Sequence, residues 1–176
     1  NKNTPLETAW EDYEKCIEIL YDTADYFTLN ISSPNTEGLR ELQNEKYLDE
    51  LLKKISEKNK SLSAEKNITL KNVFLKIAPD LALDEIEQIY FLASKYEITG
   101  IIATNTTVTR DNLIENPGES GGLSGKPLKD LSEFDVRRIV KSILDAGKKP
   151  RTAQYVMATL RQVWNKARRS CSRSRP

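Results

Sequence analysis

Apolar residues along most of the chain switch between two rhythms. Leu6, Trp10, Tyr13, Ile17 and Leu20 recur at the spacing of one helical face. Ahead of them, Thr4 is placed to cap, Pro5 suits the first helical position and Glu7 would complete a capping box. Residues 26–31 (YFTLNI) are a short β-rich run broken by Ser33-Pro34-Asn35, and they predict a strand. Tyr47, Leu48, Leu51, Leu52 and Ile55 predict a second helix, followed by a polar loop over 58–67. A second strand is expected at 73–77 (VFLKI), stopped by Pro79. A third helix follows at 83–96, with Ile86, Ile89, Tyr90 and Ala93 on one face, and a third strand at 100–103 (GIIA). The order α-β-α-β-α-β points to a parallel sheet, because parallel neighbours need helical crossovers. A doubly wound sheet and a β/α barrel both satisfy it.

After Thr104 the alternation stops. Four of the seven glycines fall within 118–125 (GESGGLSG). That stretch matches neither GxGxxG nor a phosphate-binding P-loop and reads, taken alone, as a turn. Ser132 then caps an expected helix carrying Phe134, Val136, Ile139, Val140, Ile143 and Leu144, ended by Gly147. Residues 150–169 predict another, with Tyr155, Val156, Leu160, Val163 and Trp164 inward. No further strand is predicted.

Charge divides the chain in the same region. The 27 Lys+Arg and 26 Asp+Glu give a net +1. Nine of the basic residues and none of the acidic ones lie in 148–176, leaving 18 basic against 26 acidic, a net of −8, in 1–147. A wholly basic end can hold a phosphate backbone non-specifically and in a salt-sensitive way, and the same composition describes a solvated, disordered end. The chain has no histidine, which excludes histidine triads and histidine-bearing metal sites. Cys16 and Cys171 form no disulfide framework and no metal spacing, so a reducing compartment is expected. No apolar run approaches the ~18 residues that span a bilayer. Asn1 opens the chain without an initiating Met or a signal pattern, as in a segment cut from something longer.

Candidate chemistry gathers at the C-terminal ends of the three expected strands. The first runs into Asn30, Ser32, Ser33, Asn35 and Thr36; the second carries Lys76 near its end; the third ends in Thr104, Asn105, Thr106 and Thr107. In β/α barrels the active site lies at that face. Asparagine both donates and accepts hydrogen bonds, which suits a heterocycle with imide and carboxylate groups. A lysine within Phe74-Leu75-Lys76-Ile77 is costly to bury unless its charge meets an anion or an electron-rich ring. Asn and Ser after one strand are ordinary turn formers; three strand ends in succession, with that lysine, favour a site.

Four segments in order, NISSPNTEGLR (30–40), LKIAPDL (75–81), GIIATNTT (100–107) and GGLSGKPL (121–128), resemble dihydroorotate dehydrogenase over about residues 1–131. The serine of SSPN resembles the class 2, quinone-linked branch; class 1 enzymes carry Cys there. The resemblance implies an FMN-dependent β/α barrel that oxidises dihydroorotate to orotate in pyrimidine (UMP) biosynthesis, with a quinone as acceptor and no metal. It implies that Ser33 takes the C5 proton while a hydride from C6 passes to the flavin. Asn30 would touch FMN and substrate, and Asn35, Asn105 and Thr106 would bind substrate. Lys76 would support the flavin's N1/O2 edge, and Thr104 and Gly125 would contact FMN.

Residues 133–170 resemble instead the core-binding helical domain of a tyrosine recombinase (phage-type integrase), mainly through PRTAQYVMATLRQVWNKAR at 150–168. The catalytic domain of that family has no counterpart. The expected organisation is an incomplete (β/α)8 TIM barrel over 1–131, holding central strands only, followed by an all-α segment over 132–176. Such a chain reads as a fragment and a chimera. The membrane-associating helices, first strands and phosphate-binding last strands of the dehydrogenase have no counterpart either. The chain as it stands is thus expected to be inactive and cytoplasmic, and the intact parent to lie peripherally on the cytoplasmic face of the cell membrane. A DNA-binding helical module is the alternative function for the C-terminal segment.

Overall fold

The computed structural model describes residues 3–110, 118 and 121–124. The recombinase-like helices, the basic end with its nucleic-acid role, the junction at 131 and Gly125 lie outside the described residues. The elements run α1 (Ala9–Leu20), β1 (Tyr26–Asn30), α2 (Glu45–Lys66), β2 (Asn72–Ile77), α3 (Leu83–Lys95) and β3 (Gly100–Ala103), so each strand lies where its apolar run predicts. The sheet is parallel in the order β1-β2-β3, with Asn30 opposite Lys76 and Lys76 opposite Ile102.

Side chains alternate across a strand, so β2 buries Val73, Leu75 and Ile77 and leaves Asn72, Phe74 and Lys76 exposed or half-exposed. The buried row joins Leu29 and Ile101 in one core with Ile17, Tyr21, Leu48, Leu51, Leu52, Ile55, Ile89 and Leu92 from the helices. Helix α1 packs on α2, and α2 on α3. Strands adjacent in chain order with right-handed crossovers put their helices on one side. That arrangement fits a barrel segment, and equally one βαβαβ half of a doubly wound sheet, which also carries its helices on one face. The other face presents Tyr26, Thr28, Asn30, Phe74 and Lys76. Lys76 is therefore half-exposed on the open face, not buried among the apolar residues that flank it in sequence.

Two local expectations are corrected. Residues 58–66 are not a polar loop but the second half of α2. The inward stripe continues through Ile55, Asn59 and Leu62, with a buried asparagine where an apolar residue was sought. Tyr21 donates its hydroxyl to the Asn59 side chain at 2.6 Å, and Asn59 Nδ2 donates to the Lys71 carbonyl at 2.9 Å. Lys58 pairs with Glu14 and Glu18 on α1. The helix stops at Asn67, whose φ of 52° is a left-handed conformation that asparagine tolerates. At the N-terminus, Thr4 caps nothing. A 3-10 turn, Leu6–Thr8, precedes α1, and the Thr4 side chain is the first of the influences that hold the Asp12 carboxyl below its usual range. A second 3-10 helix, Leu39–Gln43, was not signalled by periodicity. Among the described residues no helix is long and apolar enough to cross a membrane.

Candidate active site

The C-terminal ends of β1 and β3 meet through their asparagines. Asn30 Oδ1 accepts hydrogen bonds from the Ser32 amide at 3.3 Å, the Ser32 hydroxyl at 3.0 Å and Asn105 Nδ2 at 3.3 Å. Asn105 Nδ2 also donates to Ser32 Oγ at 3.1 Å, and its Oδ1 accepts the Thr106 amide at 2.8 Å. From below, Tyr13 donates its hydroxyl to the Asn30 carbonyl at 3.0 Å. Burial pushes the Tyr13 phenol up to about 12, with smaller contributions from Asp12 and Cys16. Lys76 stands beside Asn30 on the open face, because register partners on neighbouring parallel strands point the same way. Its ammonium has no partner among the described residues.

The two serines after β1 differ. Ser32 is fully buried and held in the asparagine network. Ser33 is half-exposed, and its Oγ accepts the Asn35 amide at 3.4 Å. The glycine-rich segment closes over this loop. Thr107 and Leu123 form an antiparallel bridge, with N–H···O distances of 3.0 and 2.7 Å. Gly122 then lies so close to Thr106 that a Cβ there would fall 1.9 Å from its Oγ1 and 2.9 Å from a Pro34 ring carbon. Only glycine fits at that contact. The turn-like GESGGLSG stretch thus belongs to the same surface as SSPN and TNTT.

Sequence reasoning missed the residues that tie these loops together. Arg40 donates through Nε to the Ser32 carbonyl at 3.3 Å, through Nη1 to Asp80 at 2.8 Å, and through Nη2 to the Thr106 carbonyl at 2.9 Å. Asp80 also accepts the Thr107 hydroxyl, the Val108 amide at 3.2 Å and the Thr109 hydroxyl at 3.3 Å. Burial is the largest influence on this carboxyl and opposes its charge. The bonds from Thr107 and Arg40 outweigh it, and Asp80 ionises below the usual range. Gln43 braces the same region, donating to the Arg40 carbonyl and accepting the Ala78 amide. All three lie inside or beside the recognisable segments, but nothing in their spacing marked them as partners.

Of the residues singled out from sequence, Asn30, Asn105 and Thr106 are hydrogen-bonded to one another or to shared partners, and Ser33 and Asn35 occupy the adjoining loop. Thr104, reached through a cis peptide bond from Ala103, donates its hydroxyl to the Asn105 carbonyl at 2.9 Å. An open cleft of about 510 Å³, lined by Asp22, Asp25 and residues 68–72, lies at the opposite ends of the strands and faces none of these groups. Among the described residues, no group of three or more His, Cys, Asp or Glu could hold a metal ion.

Comparison with known proteins identifies the family. The family model described as "Dihydroorotate dehydrogenase" matches residues 1–146. The match runs past the junction expected at 131 and takes in the first part of the segment expected to be recombinase-like, a resemblance that the family match does not support. Dihydroorotate dehydrogenase (quinone) of Coxiella burnetii (strain Dugway 5J108-111) is 51% identical over 143 residues, covering 79% of this chain and 40% of that protein. The protein of the same name from Shewanella sp. (strain W3-18-1) is 50% identical over 141 residues, covering 79% and 41%. The chain thus spans about 40% of the length of these curated relatives. The crystal structure of DHODH from Eimeria tenella in complex with ferulenol superposes with a TM-score of 0.71 at 33% identity, over 81% of this chain and 41% of that one. The ligand-free form gives 0.69 at 35% identity, over 81% and 42%. With its parallel strands, one-sided helices and polar strand ends, the chain belongs to the dihydroorotate dehydrogenase family.

Proposed function

We propose that this chain carries the substrate-facing and flavin-facing wall of a quinone-type dihydroorotate dehydrogenase, which oxidises dihydroorotate to orotate in pyrimidine biosynthesis. The observation that supports this most directly is the meeting of Asn30, Asn105 and Lys76 where the three strands end. The fit to FMN rests on Lys76. An ammonium without a partner among the described residues, on an open sheet face beside an asparagine, suits the electron-rich edge of an isoalloxazine ring. Asn30, Lys76, Thr104 and Gly125 are the residues assigned to hold it. When bound, FMN supplies the acceptor for the C6 hydride.

The chain's own residues do the rest. Asn35, Asn105 and Thr106 hold the polar rim of the dihydropyrimidine ring by matching its donors and acceptors. Ser33 Oγ takes the C5 proton, so that the C5–H and C6–H bonds both break and a C5=C6 double bond forms. A serine hydroxyl is a weak base in water, so this role requires water to be excluded and the serine's own proton to be passed on. Ser33, half-exposed and only lightly engaged, is the serine free to meet a substrate; Ser32 is not. The electrons then leave to a quinone, and the intact enzyme would work peripherally at the cytoplasmic face of the membrane.

The test is a full-length hybrid in which residues 1–146 replace the matching segment of the Coxiella burnetii relative. Dihydroorotate-dependent reduction of a quinone or dye is the expected result. A folded, flavin-containing hybrid that leaves dihydroorotate unoxidised would overturn the reading.

A further inference from the structure

We propose that Arg40 and Asp80 are positioning residues, whose ion pair clasps the loops after β1, β2 and β3 in the relative placement the substrate site needs. The proposal rests on the functional reading above and deepens it. The guanidinium uses three nitrogens on three acceptors, and each acceptor belongs to a different loop: Ser32 O after β1, Asp80 after β2 and Thr106 O after β3. The Ser32 carbonyl belongs to the peptide unit that leads into Ser33. The Thr106 carbonyl follows directly on Asn105 and Thr106. Asp80 grips the same third loop from its other side through Thr107, Val108 and Thr109. Thr107 in turn carries the bridge to Leu123 that lays Gly122 against Pro34 and Thr106.

Neither side chain hydrogen-bonds the side chains of Asn30, Ser33, Asn35 or Asn105, so both act through the backbone that carries those groups. The pair is partly shielded, with side chains 24% and 20% exposed, and salt screens it less than a fully open surface pair. A lysine could keep the charge. It could not keep the geometry, because one ammonium on a flexible stem does not reproduce a planar fork directed at three separated acceptors.

The test uses the full-length hybrid with Arg40→Gln, Arg40→Lys and Asp80→Asn. Flavin content, melting temperature, and the separate rates of flavin reduction by dihydroorotate and reoxidation by quinone are measured. All three variants are expected to retain flavin and reoxidation rate. Flavin reduction should slow by roughly 10–100-fold, the scale on which a misplacement of about 1 Å acts. Arg40→Lys should fail like Arg40→Gln; normal reduction in Arg40→Lys would make the pair a simple charge contact and overturn the proposal. Equal slowing of both half-reactions, or loss of flavin in step with melting temperature, would also overturn it by showing a merely structural role. Amide hydrogen exchange separates the clasp from the functional reading. Asp80→Asn should speed exchange at Val108, Thr107 and Leu123 and leave Leu75 unchanged, whether or not the parent hybrid oxidises dihydroorotate. Unaltered exchange at Val108 and Leu123 would rule the clasp out.

Discussion

Ser32 and Ser33 are adjacent in the chain and opposite in circumstance. The first is fully buried with its hydroxyl spent on two asparagines; the second is half-exposed, with one long bond from the Asn35 amide. Replacing Ser33 by Ala in the hybrid is expected to slow flavin reduction by dihydroorotate by about 10²–10⁴-fold, the usual reach of a general base, with flavin content unchanged. Near-normal reduction in stopped-flow absorbance would remove Ser33 from the mechanism. Lys76→Ala should lower both flavin retention and reduction, measured as the flavin-to-protein ratio and the same transient. If both stay at the parent's values, the lysine is a half-exposed strand residue whose head merely reaches water. Tyr13 offers a pH test. Its phenol is raised to about 12 by burial beneath Asn30, so the folded state binds this proton more tightly than the unfolded state does. The stability it contributes is complete below pH 10 and is lost as pH rises through about 12. Tyr13→Phe should flatten that part of the stability-against-pH curve, and an unchanged slope would count against the shift.

At the level of elements, the strands were legible because each is a short apolar run with a turn former after it. Helices α1 and α3 were legible from their stripes. The second half of α2 was not, because one of its two inward positions is Asn59. That residue is 6% exposed and links Tyr21 on the turn after α1 to Lys71 at the approach to β2. A buried amide of this kind is read as polar by any periodicity argument, although it serves as core once its partners are in place. Asn59→Leu is expected to destabilise the hybrid by about 1–3 kcal/mol, since the Lys71 amide and carbonyl lose their partner while staying partly buried. A fall in the thermal midpoint would show it. An unchanged midpoint would mean that water replaces the amide at no cost.

The described sheet has three strands, so β1 and β3 are both edges, and its inner face leaves Tyr26 58% exposed beside Phe74. Unpaired strand edges and uncovered aromatic surface favour association over a single folded species. The groups proposed to face flavin, Asn30, Lys76 and Thr104, lie at strand ends whose mutual placement a closed barrel would hold, and losing that preorganisation would weaken binding. Expressed alone with added FMN, the 176-residue chain is therefore expected to bind flavin well below one equivalent and to show no bleaching by dihydroorotate. A yellow, monodisperse, stoichiometric complex that bleaches would show that the 176-residue chain suffices. Size-exclusion chromatography with absorbance at the flavin band reads both outcomes.

Residue order alone was enough for the alternation of helix and strand, the polar strand ends and the family, because local periodicity and contiguous segments such as NISSPNTEGLR survive without any knowledge of contacts. Periodicity left a barrel and a doubly wound sheet equally open, since both share one local pattern, and the family resemblance chose the barrel. Three strands with α1, α2 and α3 sharing a single core still suit either fold, and the likeness to the solved dihydroorotate dehydrogenase structures decides for the barrel. Residue order placed Lys76 among apolar neighbours, whereas strand pleating turns it to the face opposite Leu75 and Ile77. It was silent on Arg40 and Asp80, which are 40 residues apart in sequence and 2.8 Å apart in space. A long-range ion pair leaves no periodic trace; it exists only when three separate loops are brought to the same end of one sheet.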